Sequence, residues 1–162
     1  MAQPLVIILM GSKADLEHCE KIASAVRGFG LEAVLRIGSA HKTAEHALKL
    51  VRAYEASGRP RLYITVAGRS NALSGFTDGA VSAPVLACPP PSDSFAGADV
   101  FSSLRMPSGI APAVILEPVN AALFAAKLFG QFDPSVHQAV LAFQKKQAEK
   151  ILEDDAAALG KG

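Results

Sequence analysis

The chain has 162 residues, of which 50% are hydrophobic and 19% charged, and its formal net charge is +1. That length suits one hydrophobic core, so a single domain spanning residues 1–162 is expected. The even mixture of basic and acidic residues excludes the electrostatic footprint of a nucleic-acid-polymer binder and the basic stripe of a membrane-surface protein, which points to a small-molecule partner. The chain is also more apolar and less charged than a typical soluble monomer, so part of its surface is expected to meet other subunits.

The start, Met-Ala-Gln-Pro, carries no basic n-region, and no apolar run reaches spanning length; a soluble cytoplasmic protein is expected. Cys19 and Cys88 are isolated from each other in the pattern, which suits buried thiols in a reducing compartment rather than a disulfide. With neither His-x-x-x-His nor Cys-x-x-Cys spacing, no metal site is expected.

Taken in chain order, Leu5–Met10 is a continuous apolar run ended by Gly11, as in a strand buried on both faces. Leu16, Cys19, Ile22, Ala23, Val26 and Phe29 then repeat at helical spacing up to Gly30. Glu32–Ile37 reads as a second strand, and Ala44, Ala47, Leu48, Val51 and Tyr54 mark a second helix that stops at Gly58-Arg59-Pro60. Leu62–Ala67 is a third strand, followed by the small-residue segment Ala72–Ala80. Pro84–Ala87 and Ala113–Leu116 are further strands, and Asn120–Phe129, preceded by Pro118, is a nearly all-apolar, buried helix. Asp133-Pro134 caps a last helix over about 134–158, with Val136, Val140, Phe143, Gln147 and Ile151 on one face, which can lie on its own domain or on a neighbouring subunit. Strands alternating with helices across short connections predict a mostly parallel sheet covered on both faces.

In such sheets ligands gather outside the carboxyl ends of the strands, where helix N-termini offer free N–H groups to anions. Loop one, Gly11–Asp15, combines a glycine, a hydroxyl and a carboxylate; Ser12-x-x-Asp15 is also a capping box, and both readings stand. Loop two, Ser39–Thr43, holds His41 between Ser39 and Thr43 with Lys42 beside it, a group suited to proton transfer. His18, His46 and His137 fall within helices and read as solvated or structural. Loop three, Gly68–Ser74, adds Arg69, Ser70, Asn71 and Ser74, although helix capping would explain Ser70 or Asn71. The segments Cys88–Gly97 and Ser102–Gly109 read equally as a lid or as a rigid turn with a subunit contact. The glycine patterns of dinucleotide-binding and Walker loops and the Gly-x-Ser-x-Gly elbow are absent.

Together Met10-Gly11-Ser12-Lys13-Ala14-Asp15, Ser39-Ala40-His41-Lys42-Thr43, Ala67-Gly68-Arg69-Ser70-Asn71 and Ser102-Ser103-Leu104-Arg105-Met106-Pro107-Ser108-Gly109 resemble the phosphoribosylaminoimidazole carboxylase family of purine biosynthesis, over nearly the whole chain. Members of its mutase branch carry arginine at the position of Lys42 and a glycine-rich third loop ending in histidine. Lys42 and Gly68-Arg69-Ser70-Asn71 instead resemble the carbon-dioxide-using branch (class II).

The resemblance implies a flavodoxin-like three-layer α/β/α sandwich and a homo-oligomer, an octamer or smaller, with sites at subunit junctions. It also implies reversible carboxylation of 5-aminoimidazole ribonucleotide by carbon dioxide, without ATP, biotin, metal or other cofactor. By the same resemblance His41 and Lys42 are catalytic, His41 as the proton shuttle. Gly11, Ser12, Asp15, Ser39, Lys42, Gly68, Arg69, Ser70, Asn71 and Ser74 bind substrate, with Lys42 on either the phosphate or the carboxylate. The competing readings are a carboxyaminoimidazole ribonucleotide mutase and a non-catalytic nucleotide-binding module; a flavin carrier lacks any signature.

Overall fold

A computed structural model describes residues 2–160. Five parallel strands form one sheet in the order β2-β1-β3-β4-β5, with β1 at Leu5–Met10, β2 at Glu32–Ile37, β3 at Arg61–Val66, β4 at Val85–Ala87 and β5 at Ala113–Val114. The helices are α1 (Leu16–Gly28), α2 (Ala44–Glu55), α3 (Ala72–Asp78), α4 (Pro118–Phe129) and α5 (Pro134–Leu159). The expected flavodoxin-like three-layer sandwich is therefore what forms, and among the described residues every strand pairing is parallel.

β1 explains the layering. All its residues are buried, and the pleat sends Val6, Ile8 and Met10 into one core and Leu5, Ile7 and Leu9 into the other. The first core is closed by Cys19, Ile22 and Val26 of α1 and by the alanine face of α4, Ala121, Ala122, Ala125 and Ala126. Small side chains there let α4 lie close to α1. The second core is closed by Leu50 and Val51 of α2 and Leu73 of α3. The chain leaves β1 toward β2 and returns across it to β3, so right-handed crossovers force α1 and α2 onto opposite faces.

A polar knot ties the amino edge of this frame. The Glu55 carboxylate accepts from Arg61 Nη1 (3.2 Å), the Tyr63 hydroxyl (3.1 Å), and the Ser82 N–H (3.1 Å) and hydroxyl (2.9 Å). It thereby joins the end of α2, the start of β3 and the connection into β4. Burial pushes the Glu55 carboxyl up, but the Ser82 donors, Tyr63 and Arg61 outweigh it and hold the carboxyl below its usual range.

Two departures from the sequence pattern matter. The connection between β4 and β5 contains a kinked 3-10 segment, Ser94–Ser103, in which Phe95, Ala96 and Gly97 have φ of 51°, 54° and 81°. Left-handed geometry at two non-glycine residues is held by context rather than by local preference. The apolar face of α5 also outruns the core: Val136 and Val140 are buried and Phe143 packs edge-on against Phe29, whereas Ile151 is 67% exposed. No described helix is long and apolar enough to cross a membrane.

Glu55→Gln should lower unfolding stability by about 1–3 kcal/mol near neutral pH, read by urea denaturation. A depressed carboxyl contributes stability above its unfolded value and loses it as pH falls through the folded one. The midpoints of wild type and Glu55→Gln should accordingly converge in acid.

Candidate active site

The reversal of chain direction lies between β1 and β3, and the loops following β1, β2 and β3 rise there around one cleft of about 560 Å³. Each strand ladder runs on into its loop: the Gly11 N–H donates to Val66 O (3.0 Å) and the Gly38 N–H to Met10 O (2.9 Å). At Gly38 an added Cβ would sit 3.1 Å from Ala47 Cβ and 3.2 Å from Ala47 Cα. Glycine there lets α2 start directly beneath loop two.

Ser12 caps the short 3-10 turn Lys13–Asp15, its Oγ accepting from the Ala14 N–H (3.3 Å) and donating to Asp15 Oδ2 (3.4 Å). Asp15 occupies the N-cap position of α1 but makes no side-chain cap bond. Capping therefore accounts for Ser12 and leaves the Asp15 carboxylate, on the cleft wall, available to hydroxyl donors.

Loop two is a closed turn. The Ser39 N–H donates to Thr43 Oγ1 (2.9 Å), the Thr43 N–H to Ser39 O (3.0 Å) and the Lys42 N–H to Ser39 Oγ (3.1 Å). The two hydroxyls flanking His41 thus build the turn that lifts His41 and Lys42 to the cleft. Ser39 Oγ accepts there and keeps its own proton for an anion. His41, Lys42 and Ser39 all line the cleft, and His41 and Lys42 are exposed.

Gly68, Arg69 and Ser70 form the opposite wall. Arg69 has φ of 61°, a left-handed conformation that turns the chain sharply before α3. Asn71 and Ser74, expected from the sequence to touch substrate, sit deeper. Both are buried, and neither lines the cleft. Asn71 Oδ1 accepts from the Ser74 N–H (3.2 Å) while Nδ2 donates to Ser103 Oγ (2.9 Å); the Ser74 hydroxyl donates to Asn71 O (3.4 Å). Their amide and hydroxyl are spent inside the loop, so they support it.

Ser102 and Ser103 are the residues whose part was missed. The Asn71 N–H donates to Ser102 Oγ (3.0 Å), which donates to Arg69 O (3.2 Å). Loop three is thus bolted to the end of the 3-10 segment at residues more than thirty positions away. No local pattern could announce that pairing; the signals were the paired Ser-Ser beside a long connector and its place in a stretch that carries the family resemblance.

The other histidines stay outside. His46 and His137 are exposed on α2 and α5, and His18 is half-buried behind the cleft with Nε2 3.5 Å from Cys88 Sγ. Burial lowers the His18 imidazole below its ordinary value. Burial also pushes the Cys19 and Cys88 thiols up to about 12, so neither is a ready thiolate. Among the described residues no group of three or more His, Cys, Asp or Glu side chains converges as a metal site.

A parallel sheet with a switch-point cleft carrying one histidine, two cations and a carboxylate defines a small-molecule enzyme of the nucleotide-handling α/β class. The family described as AIR carboxylase matches residues 5–150. A phosphoribosylaminoimidazole carboxylase of Treponema denticola is 61% identical over 95% of this chain and 97% of its own length. One of Archaeoglobus fulgidus is 52% identical over 92% of this chain and 82% of its own. A mouse bifunctional phosphoribosylaminoimidazole carboxylase/phosphoribosylaminoimidazole succinocarboxamide synthetase is 46% identical over 80% of this chain, matched through 30% of its length. The crystal structure of Treponema denticola PurE superposes with a TM-score of 0.94 at 61% identity, covering 96% of this chain and 98% of that one. The chain belongs to the AIR carboxylase family.

Asn71→Ala removes the α3 cap and leaves Ser103 without its donor, and should cost about 1–3 kcal/mol of stability. Amide hydrogen exchange should quicken at Gly68–Ser74 and Ser102–Ser103 together; protection unchanged at one of the two would show that they are not one unit.

Proposed function

We propose that this enzyme of purine biosynthesis adds carbon dioxide to 5-aminoimidazole ribonucleotide, giving 4-carboxy-5-aminoimidazole ribonucleotide, and runs the reverse reaction. The observation that carries this reading is the assembly of His41, Ser39 and Lys42 on one rigid turn beside Asp15 in the switch-point cleft. The printed names of the relatives at 61% and 52% identity support it.

Ser39 donates to the phosphate, the Ser12 hydroxyl turns from Asp15 to join it, and Lys42 is a point charge beside them. Asp15 accepts from the ribose hydroxyls. The aminoimidazole ring is an electron-rich enamine whose C4 attacks the carbon of carbon dioxide, and one C=O electron pair moves onto oxygen as the new carboxylate. C4 is then tetrahedral and must lose its proton to restore aromaticity. His41 takes that proton, and returns it to C4 in decarboxylation. The Gly68 backbone and the Ser70 side chain face the ring and the new carboxylate, whose charge Arg69 balances. Asn71 and Ser74 keep that wall in place.

His41→Asn should lower turnover by about 10²–10⁴ while changing the KM for nucleotide only a few-fold, measured by ultraviolet absorbance during decarboxylation. Turnover retained within a few-fold would remove His41 from the proton transfer. Feeding aminoimidazole ribonucleotide with carbon dioxide should give rapid product. Fast conversion of carboxyaminoimidazole ribonucleotide that ignores carbon dioxide would identify a mutase instead.

The same reading takes the protein to be a cytoplasmic homo-oligomer. Ile151, Leu152 and Leu159 of α5, together with Phe101 and Leu104 near loop three, are 57–77% exposed in the single chain, an apolar surface suited to other subunits. Light scattering should give a mass several times the 16.9 kDa of one chain. A monodisperse monomer would contradict this.

A further inference from the structure

On the β4 side of loop three lies a second cavity of about 350 Å³, which shares Ala67, Gly68 and Arg69 with the nucleotide cleft. Much of its remaining wall is apolar, with Pro89, Pro90, Pro91 and Val100, and the Ser92 and Ser103 hydroxyls interrupt it. Two carboxylates line the same space, the half-buried Asp99 and the exposed Glu117. Asp99 Oδ2 is buried and has no hydrogen-bond partner among the described residues. With Arg69 counted, two acids and one base leave the chamber a formal charge of −1.

Asp99 is half-buried, and the one oxygen that is closed off without a partner is costly to keep. The neighbouring cleft has a related difficulty. Its cations suit an anionic nucleotide, and they would draw bicarbonate, the more abundant form of dissolved inorganic carbon near neutral pH, equally well. Carbon dioxide is linear and uncharged, so it crosses an apolar wall with little desolvation cost and is indifferent to carboxylates. Bicarbonate would shed water and meet like charge.

We infer that this chamber is the inlet through which carbon dioxide reaches the ring, and that Asp99 and Glu117 keep bicarbonate out of it. The inference rests on the carboxylase reading above. It adds a route and a filter: the neutral gas arrives behind loop three, the nucleotide from the opposite side, and they meet at Gly68. Bond formation is unchanged, with C4 supplying the electron pair and His41 taking the ring proton.

The test supplies carbon dioxide and bicarbonate separately in initial-rate assays, before and after equilibration by carbonic anhydrase. Val100→Trp and Pro91→Trp fill the chamber from different walls, so the second decides if the first fails to fold. Each should raise the KM for carbon dioxide about tenfold while leaving the KM for aminoimidazole ribonucleotide within about twofold. Decarboxylation should slow by the matching factor, since the overall equilibrium constant is fixed. The double variant Asp99→Asn/Glu117→Gln should become inhibited by bicarbonate at constant carbon dioxide. Folded Trp variants with an unchanged KM for carbon dioxide would overturn the inlet, and a double variant indifferent to bicarbonate would overturn the filter. A wild type whose rate ignores carbon dioxide would overturn the carboxylase reading itself, and the inlet with it.

Discussion

Because all the strands run the same way, their carboxyl ends, and the loops that leave them, emerge along one edge of the sheet. β1 stands at the centre of that arrangement, buried on both faces and paired with both β2 and β3. The chain can only reverse its direction of travel beside this strand, which opens a gap between the loops after β1 and β3. The cleft and the three loops that line it are arranged around that gap. Displacing β1 would separate Asp15 from His41 before it disturbed either loop.

The three loops achieve rigidity by different means. Loop one uses a short capped turn, and loop two closes on itself through Ser39 and Thr43. Loop three has a left-handed residue at Arg69, and to its own Asn71–Ser74 bonds it adds Ser102 and Ser103 from the following connector. The division is physical. A turn that satisfies its own backbone groups can carry exposed side chains such as His41, whereas the left-handed one at Arg69 draws on distant partners, the exposed Ser102 and the buried Ser103.

The long strands and the helix stripes were legible because burial on both faces leaves a continuous apolar run, and burial on one face leaves a period. β1, α1 and α4 are cases in point: each pattern is fixed by the neighbours immediately above and below. His41 and its turn were legible for a related reason, since the hydroxyls that close the loop lie within two residues of it. The Asn71–Ser103 bond was not legible, because an amide on a strand-following loop looks the same whether it faces a ligand or a serine far along the chain. Phe95 and Ala96 gave no warning of left-handed backbone, as neither residue prefers it. Asp99 carried no signal because a lone acid in a connector is ordinary surface until the fold half-buries it.

The outer turns of α5 have a thermodynamic consequence. Past Phe143 every described residue is exposed, and the support found there is local: helix-favouring alanines and the Lys145–Glu149 pair at 3.6 Å. Such stretches are marginal in water without tertiary packing. Within a single chain this end is therefore a separate cooperative unit, able to fray while the sheet stays closed. Its melting is set by what lies against it, so order in the last turns reports contacts from outside the sheet domain rather than the closing of its core.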